Sequence, residues 1–218
     1  MNPELKFHSI VISVTTLIVF FVWVKLTDLI SNHPFTSIFA SGLISLGIYR
    51  SIAVLFLSLF QKISQVKKWI LGPYYMEGTW VGFFVGHENK IRFISETLKQ
   101  DFRELIIRGK AFKEEDGKYH GSWVSDSVNI NVKSGLLTYT YEANIIDNTF
   151  INPGLARFSL ERSSKDGHPT CMIGFSSDLF NRAKLKANEE KISDKTDIRI
   201  DEALKKAKEI YEKNIGHI

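Results

Sequence analysis

Two long apolar stretches fill most of the first 60 residues and decide which solvent this part of the chain must fold in. Phe7 to Val24 has no charged residue in 18 positions, and Phe35 to Phe60 has one, Arg50, in 26. A bilayer core of about 30 Å takes roughly 20 apolar helical residues, so each stretch is long enough to span it. Between them Ser31-Asn32-His33-Pro34 reads as a turn whose proline starts the second helix. The expectation is a transmembrane hairpin over 1–66. A cleaved signal peptide fits less well. The first stretch exceeds the usual apolar region of such a leader, no small-x-small cleavage site follows, and a second span comes almost at once.

Flanking lysines orient the hairpin. Lys6 precedes the first span, and Lys62, Lys67 and Lys68 follow the second. The turn side offers Asp28 and His33, with Lys25 able to snorkel at the membrane edge. Both termini are therefore expected in the cytoplasm, after a linker over 67–73. The single cysteine, Cys171, agrees, since one thiol builds no disulfide framework. The formal net charge is +4, yet residues 72–178 hold 12 Lys+Arg against 14 Asp+Glu, a net of −2. The basic excess sits beside the spans and in the tail, where anionic headgroups would attract it. This balance argues against binding to duplex nucleic acid.

From Tyr74 onward the pattern changes to alternation. Strands are predicted at Met76–Gly86, Ile91–Leu98, Phe102–Phe112, Tyr119–Ser125, Val128–Val132, Leu136–Ile146, Leu155–Arg162 and Thr170–Ser176. Turn chemistry separates most of them, including Glu115-Asp116-Gly117, Lys133-Ser134-Gly135 and Asn152-Pro153-Gly154. Eight strands with short connections favour an antiparallel meander over 74–178, closed into a barrel that leaves no free edge and is wide enough for one small ligand. A β-sandwich is the structural alternative. The tail, 179–218, reads as helical. Asp178 to Lys191 is polar, with Ser177 or Asp178 as a cap. Beyond Asp201, Ala203, Leu204, Ala207, Ile210, Tyr211 and Asn214 form one face of an amphipathic helix, packed on the barrel, lying on the membrane or pairing between subunits.

No catalytic signature is present: there is no GxSxG, HExxH, Walker A loop or CxxC pair, and no histidine pair has metal-ligand spacing. The chain therefore reads as a binder without catalytic residues, metal or cofactor. Aromatic residues with polar tips recur in the β segment, notably Tyr75, Trp80, Trp123, Tyr139 and Tyr141. Arginines lie within it at Arg92, Arg103, Arg108, Arg157 and Arg162. Aromatic faces stack on flat rings and arginine forks match phosphate oxygens, so a small ligand carrying bases and phosphates would use both. Arg103 or Arg157 is expected to meet the phosphates. Which strand face points inward stays open, because both faces of the first strand are apolar. In the second span, Ser41 with Ser45 and Gly47 with Ser51 have helix-packing spacing, and Arg50 is costly in lipid unless it pairs or lines a polar path.

Two spans, a short basic linker and a β domain opening Tyr74-Tyr75-Met76-Glu77-Gly78-Thr79-Trp80 resemble the two-transmembrane, β-strand-rich effectors of bacterial CBASS anti-phage systems, over residues from about 7 to 177. Gly78-Thr79-Trp80 also resembles the lipocalin GxW segment, in which an arginine (here Arg162) packs over the tryptophan. The CBASS resemblance implies a receptor in the bacterial inner membrane. Its cytosolic barrel would bind a cyclic dinucleotide, and the spans would then assemble as a homo-oligomer and breach the lipid bilayer, killing the infected cell. Two other readings remain: a membrane-tethered, lipocalin-like carrier of an apolar ligand, and a scaffolding membrane protein.

Overall fold

The computed structural model describes residues 2–25, 34–86, 89–146, 151–164, 166–179 and 184–214, with residues 34–38 described by backbone alone. The expected turn at Ser31 to His33 lies outside them. The chain divides into two units, residues 1–71 and 72–218.

The first unit contains α1 (Pro3–Lys25), α2 (Pro34–Lys62) and the short α3 (Ser64–Leu71). A proline occupies the first turn of α1 and of α2, where its missing N–H costs nothing, and a lysine closes each at the negative end of the helix dipole. At 1.5 Å per residue the two helices measure roughly 35 Å and 44 Å. Both are long and apolar enough to cross a membrane. Only 11% of each apolar window is buried within the chain, whereas the core helix of a soluble protein would be mostly covered. What α1 does bury is one stripe, Phe7, Val11 and Thr15, at four-residue spacing. Ser13 and Ser45 return their hydroxyls to the carbonyls of Ser9 and Ser41, one turn back. After the spans, Lys67 lies 5.7 Å from the Phe60 ring. Lys6 lies 4.7 Å from the Trp69 ring and donates to the Trp69 carbonyl.

The second unit is a closed antiparallel barrel in chain order, with β8 pairing back onto β1. Its strands are β1 (Gly78–Val85), β2 (Ile91–Gln100), β3 (Leu105–Lys113), β4 (Tyr119–Asn131), β5 (Leu136–Ile145), β6 (Asn152–Arg162), β7 (Pro169–Asp178) and β8 (Lys184–Ser193). Alternation builds it: on β6, Ala156, Phe158 and Leu160 are buried while Arg157, Ser159 and Glu161 face out.

The expected architecture is therefore present, with three corrections to its parts. Tyr119–Ser125 and Val128–Val132 form one strand, β4, interrupted by a register shift between Ser125 and Ser127. Asn152-Pro153-Gly154 is the start of β6, paired with Ala143, Glu142 and Tyr141. The eighth strand, β8, comes from the segment read as a polar helix, so the barrel runs to Ser193. Its inward row includes Glu189 and Lys191, and charged residues at buried positions hide the alternation.

The last helix, α4 (Ile200–Asn214), packs on the barrel wall. Ala203, Ala207 and Ile210 cover Val81, Phe83, Ile91 and Phe93 on the outer face of β1 and β2. Tyr211 meets Phe83 and Phe93 edge-on, at 5.1 and 6.0 Å. Strand β1 is thus apolar on both faces because both are covered.

Candidate ligand-binding cavity

Side chains from the inward rows fill one end of the barrel. Met76, Trp80, Leu98, Ile107, Leu137 and Met172 pack there without exposure. The Trp80 indole N–H donates to the Met76 carbonyl at 2.9 Å. Toward the other end, the register sets two rungs that make room. The lower rung runs Trp80, Glu96, Gly109, Trp123, Ala143, Asn152 across β1 to β6. The next runs Gly82, Ile94, Ala111, Gly121 across β1 to β4, and three of these four are glycine or alanine. A cavity of about 430 Å³ opens above them, within the range of about 300–1,000 Å³ usual for small-molecule sites.

Glycines shape its aromatic wall. A Cβ on Gly109 would fall 2.0 Å from Trp123 Cε2, so the indole lies flat over the bare backbone of β3. It reaches across that strand to donate from Nε1 to Glu96 Oε1 at 2.8 Å. Likewise a Cβ on Gly154 would fall 2.2 Å from Tyr141 Cζ, and Tyr141 lies against β6. Tyr139 stacks on Phe158 at 6.2 Å with 10° between the planes, and Tyr141 leans on Tyr139 at 6.0 Å. Ring faces thus line the cavity.

Two buried carboxyls border the cavity, Glu96 on β2 one rung below and Glu189 on β8 directly opposite Gly82, 0% and 1% exposed. Gly82 separates them on β1, where β8 approaches so closely that a Cβ would fall 1.9 Å from the Asn188 carbonyl oxygen. The two glutamates meet across this glycine and hydrogen-bond to one another. Glu96 Oε1 also accepts from the Tyr139 hydroxyl at 3.0 Å. Burial raises the pKa of both. Its effect on Glu96 is opposed by donors from Trp123, Tyr139 and Glu189, whereas on Glu189 the charge of Glu96 adds to it. The two therefore titrate as a pair that keeps a proton where a free glutamate would lose it, with the stronger upward shift on Glu189. Burial and the two glutamates hold the Tyr139 hydroxyl well above its usual value, and burial raises that of Tyr141 against a hydrogen bond with Ser176.

Two cations, Lys90 and Arg92, line the cavity at the open end together with His120 and Asp178. Arg92 donates from Nη1 to the Ile91 carbonyl at 3.0 Å and stands directly opposite Lys113 on β3. Like charges in that relation repel.

Of the residues expected from sequence, Trp123, Tyr139 and Tyr141 line the cavity. Trp80 is sealed in the filled end. Tyr75 lies outside the cavity, buried, donating its hydroxyl to Asp194 at 3.2 Å with Lys191 4.0 Å from its ring. Arg103 sits exposed in the β2–β3 turn, its backbone N–H bound to Asp101. Arg157 is exposed on the outer row of β6. Neither arginine reaches the cavity, because turn position and strand parity turn both away from it. Arg162 ends the inward row of β6 and donates to the Val132 carbonyl at 3.2 Å. Sequence reasoning missed Lys90, Glu96, His120 and Glu189. Arg92 and Glu96 share one face of β2 by parity, but nothing in the local sequence says which face is inward. In the spans, Ser41 and Ser45 are half-buried, while Gly47, Arg50 and Ser51 are exposed. No cluster able to hold a metal ion occurs among the described residues.

Comparison with protein-family models, curated proteins and solved structures finds no match for this chain.

Proposed function

We propose that the chain is a membrane-anchored receptor for a cyclic dinucleotide and carries out no catalysis of its own. The observation that carries this reading is the cavity, with ring faces laid flat against glycine positions and cations at its lip. A base stacks on Trp123, Tyr139 and Tyr141, and stacking tolerates any base. The phosphates meet Lys90 and Arg92 at the open end, where an anion relieves the repulsion between Arg92 and Lys113. A ligand of two nucleotides extends past the lip of a cavity this small, which leaves its phosphates near those cations.

The two apolar helices anchor the receptor in the bacterial inner membrane with both termini in the cytoplasm, as the flanking lysines require. Ligand binding drives assembly of the spans and breaches the bilayer. Arg50 stands partway along α2 on a surface that α1 leaves exposed, at an insertion cost of about 2.5–3.5 kcal/mol that pairing within an oligomer offsets.

Calorimetry on the full chain in detergent, with a panel of cyclic dinucleotides and a fatty acid, tests the reading. Binding of at least one cyclic dinucleotide at micromolar concentration is expected. Binding of the fatty acid alone would replace the receptor with the carrier of apolar ligands. An alkaline phosphatase fused after Ile218 and active in the periplasm would overturn the topology.

A further inference from the structure

A barrel interior gains nothing in stability from two carboxyls that have to share a proton, since apolar residues of similar volume do as well or better there. Glu96 and Glu189 nonetheless occupy inward rows, and both border the cavity. Glu189 stands opposite Gly82, and the rung above Glu96 runs Gly82, Ile94, Ala111, Gly121, so small residues on three of four strands leave both carboxyls facing the cavity. Glu96 Oε1 is committed to Trp123 and Tyr139. The second oxygens, Glu96 Oε2 and Glu189 Oε2, are buried and, among the described residues, meet no donor apart from each other's carboxyl.

We infer that this carboxyl pair is the specificity element of the cavity, accepting two adjacent N–H groups from the ligand. Among nucleobases that chemistry is the guanine edge, where N1–H and the exocyclic 2-amino group stand side by side. Adenine offers one amino group beside an acceptor nitrogen, and hypoxanthine lacks the 2-amino group. Two closely spaced acceptor oxygens meet the guanine edge with one N–H each, and the flat walls of Trp123 and Tyr141 hold the ring in that plane. The cations at the open end and the carboxyls facing the cavity then fix which way the ligand enters: phosphate outward, donor edge inward. In this form the inference rests on the cyclic-dinucleotide reading. The pairing chemistry itself does not, because a flat amidine such as benzamidine presents the same two donors.

The test uses the full chain in detergent and four probes: cyclic di-GMP, cyclic di-IMP, cyclic di-AMP and benzamidine. On the wild-type protein, cyclic di-GMP is expected to bind at least about tenfold tighter than cyclic di-AMP, with cyclic di-IMP between them. This comparison needs no variant to fold. In Glu96→Gln and Glu189→Gln, with unfolding temperatures recorded alongside, the preference is expected to shrink below about threefold. Cyclic di-AMP binding as tightly as cyclic di-GMP would overturn the guanine assignment and leave the receptor standing. Benzamidine binding that both variants abolish, with no cyclic dinucleotide bound, would keep the donor-pair site and remove the receptor reading. If no probe binds, both fall.

Discussion

Glu189→Gln is expected to make the barrel more stable at neutral pH and to flatten its dependence on pH. Glu189 is buried beside Glu96, and burial first and the neighbouring carboxyl second raise its folded pKa well above its ordinary value. In the unfolded chain a glutamate loses its proton near pH 4.3. Between that pH and its folded pKa the native state holds a proton that the unfolded state has released. The stabilising contribution is therefore complete below about pH 4.3. It is lost on raising the pH, at about 1.4 kcal/mol for each unit spent in that window. Glutamine has nearly the same shape, has no pKa in this range, and can donate its amide N–H to Glu96 where the shared proton was. For a unit of this size each kcal/mol moves the midpoint by about 2–4 °C. Thermal unfolding of the full chain in detergent from pH 4 to pH 8, followed by tryptophan emission, measures the difference. Wild type and variant should differ least near pH 4 and diverge in favour of the variant as the pH rises. Parallel curves across the range would refute the proton shared by the pair.

Three further outcomes follow from the geometry. Gly109→Val places side-chain atoms where the Trp123 indole lies, so it should lift the ring and red-shift its emission. Stability should fall by about 1–3 kcal/mol, and unchanged emission would contradict the flat seating. Arg92→Ala should weaken cyclic-dinucleotide binding and its salt dependence while Arg157→Ala leaves both as in wild type; equal effects in calorimetry at two salt concentrations would remove Arg92 from the phosphate site. Arg50→Leu should still insert and bind ligand yet lose membrane permeabilisation in dye-release assays, and a fully active variant at wild-type expression would exclude Arg50 from assembly.

The spans, the meander and α4 were legible because each rests on a period that local sequence carries. Phe7, Val11 and Thr15 share a helical stripe, and Ala156, Phe158 and Leu160 share a strand face. Strand β8 was illegible for the opposite reason. Its inward row holds Glu189 and Lys191, whose burial depends on Glu96 and Asp194, residues distant in sequence or beyond the strand. The site divided along the same line. Trp123, Tyr139 and Tyr141 could be named as rings with polar tips. The seats that lay two of them flat are Gly109 and Gly154, partners fixed only by cross-strand register. Arg92 was visible as a strand arginine, but choosing it over Arg157 required knowing which face looks inward.

The seam between β1 and β8 also sets an order of events during synthesis. Every other strand pairs with the one made just before it, whereas β1 must wait for residues 184–193. At about 5–20 residues per second, the stretch from Lys62 to Ser193 takes roughly 7–26 s to emerge. Throughout that time both apolar helices already exist and the cavity does not. Both apolar helices of a nascent chain are thus complete long before the barrel can close, and the last strand to arrive brings half of the carboxyl pair.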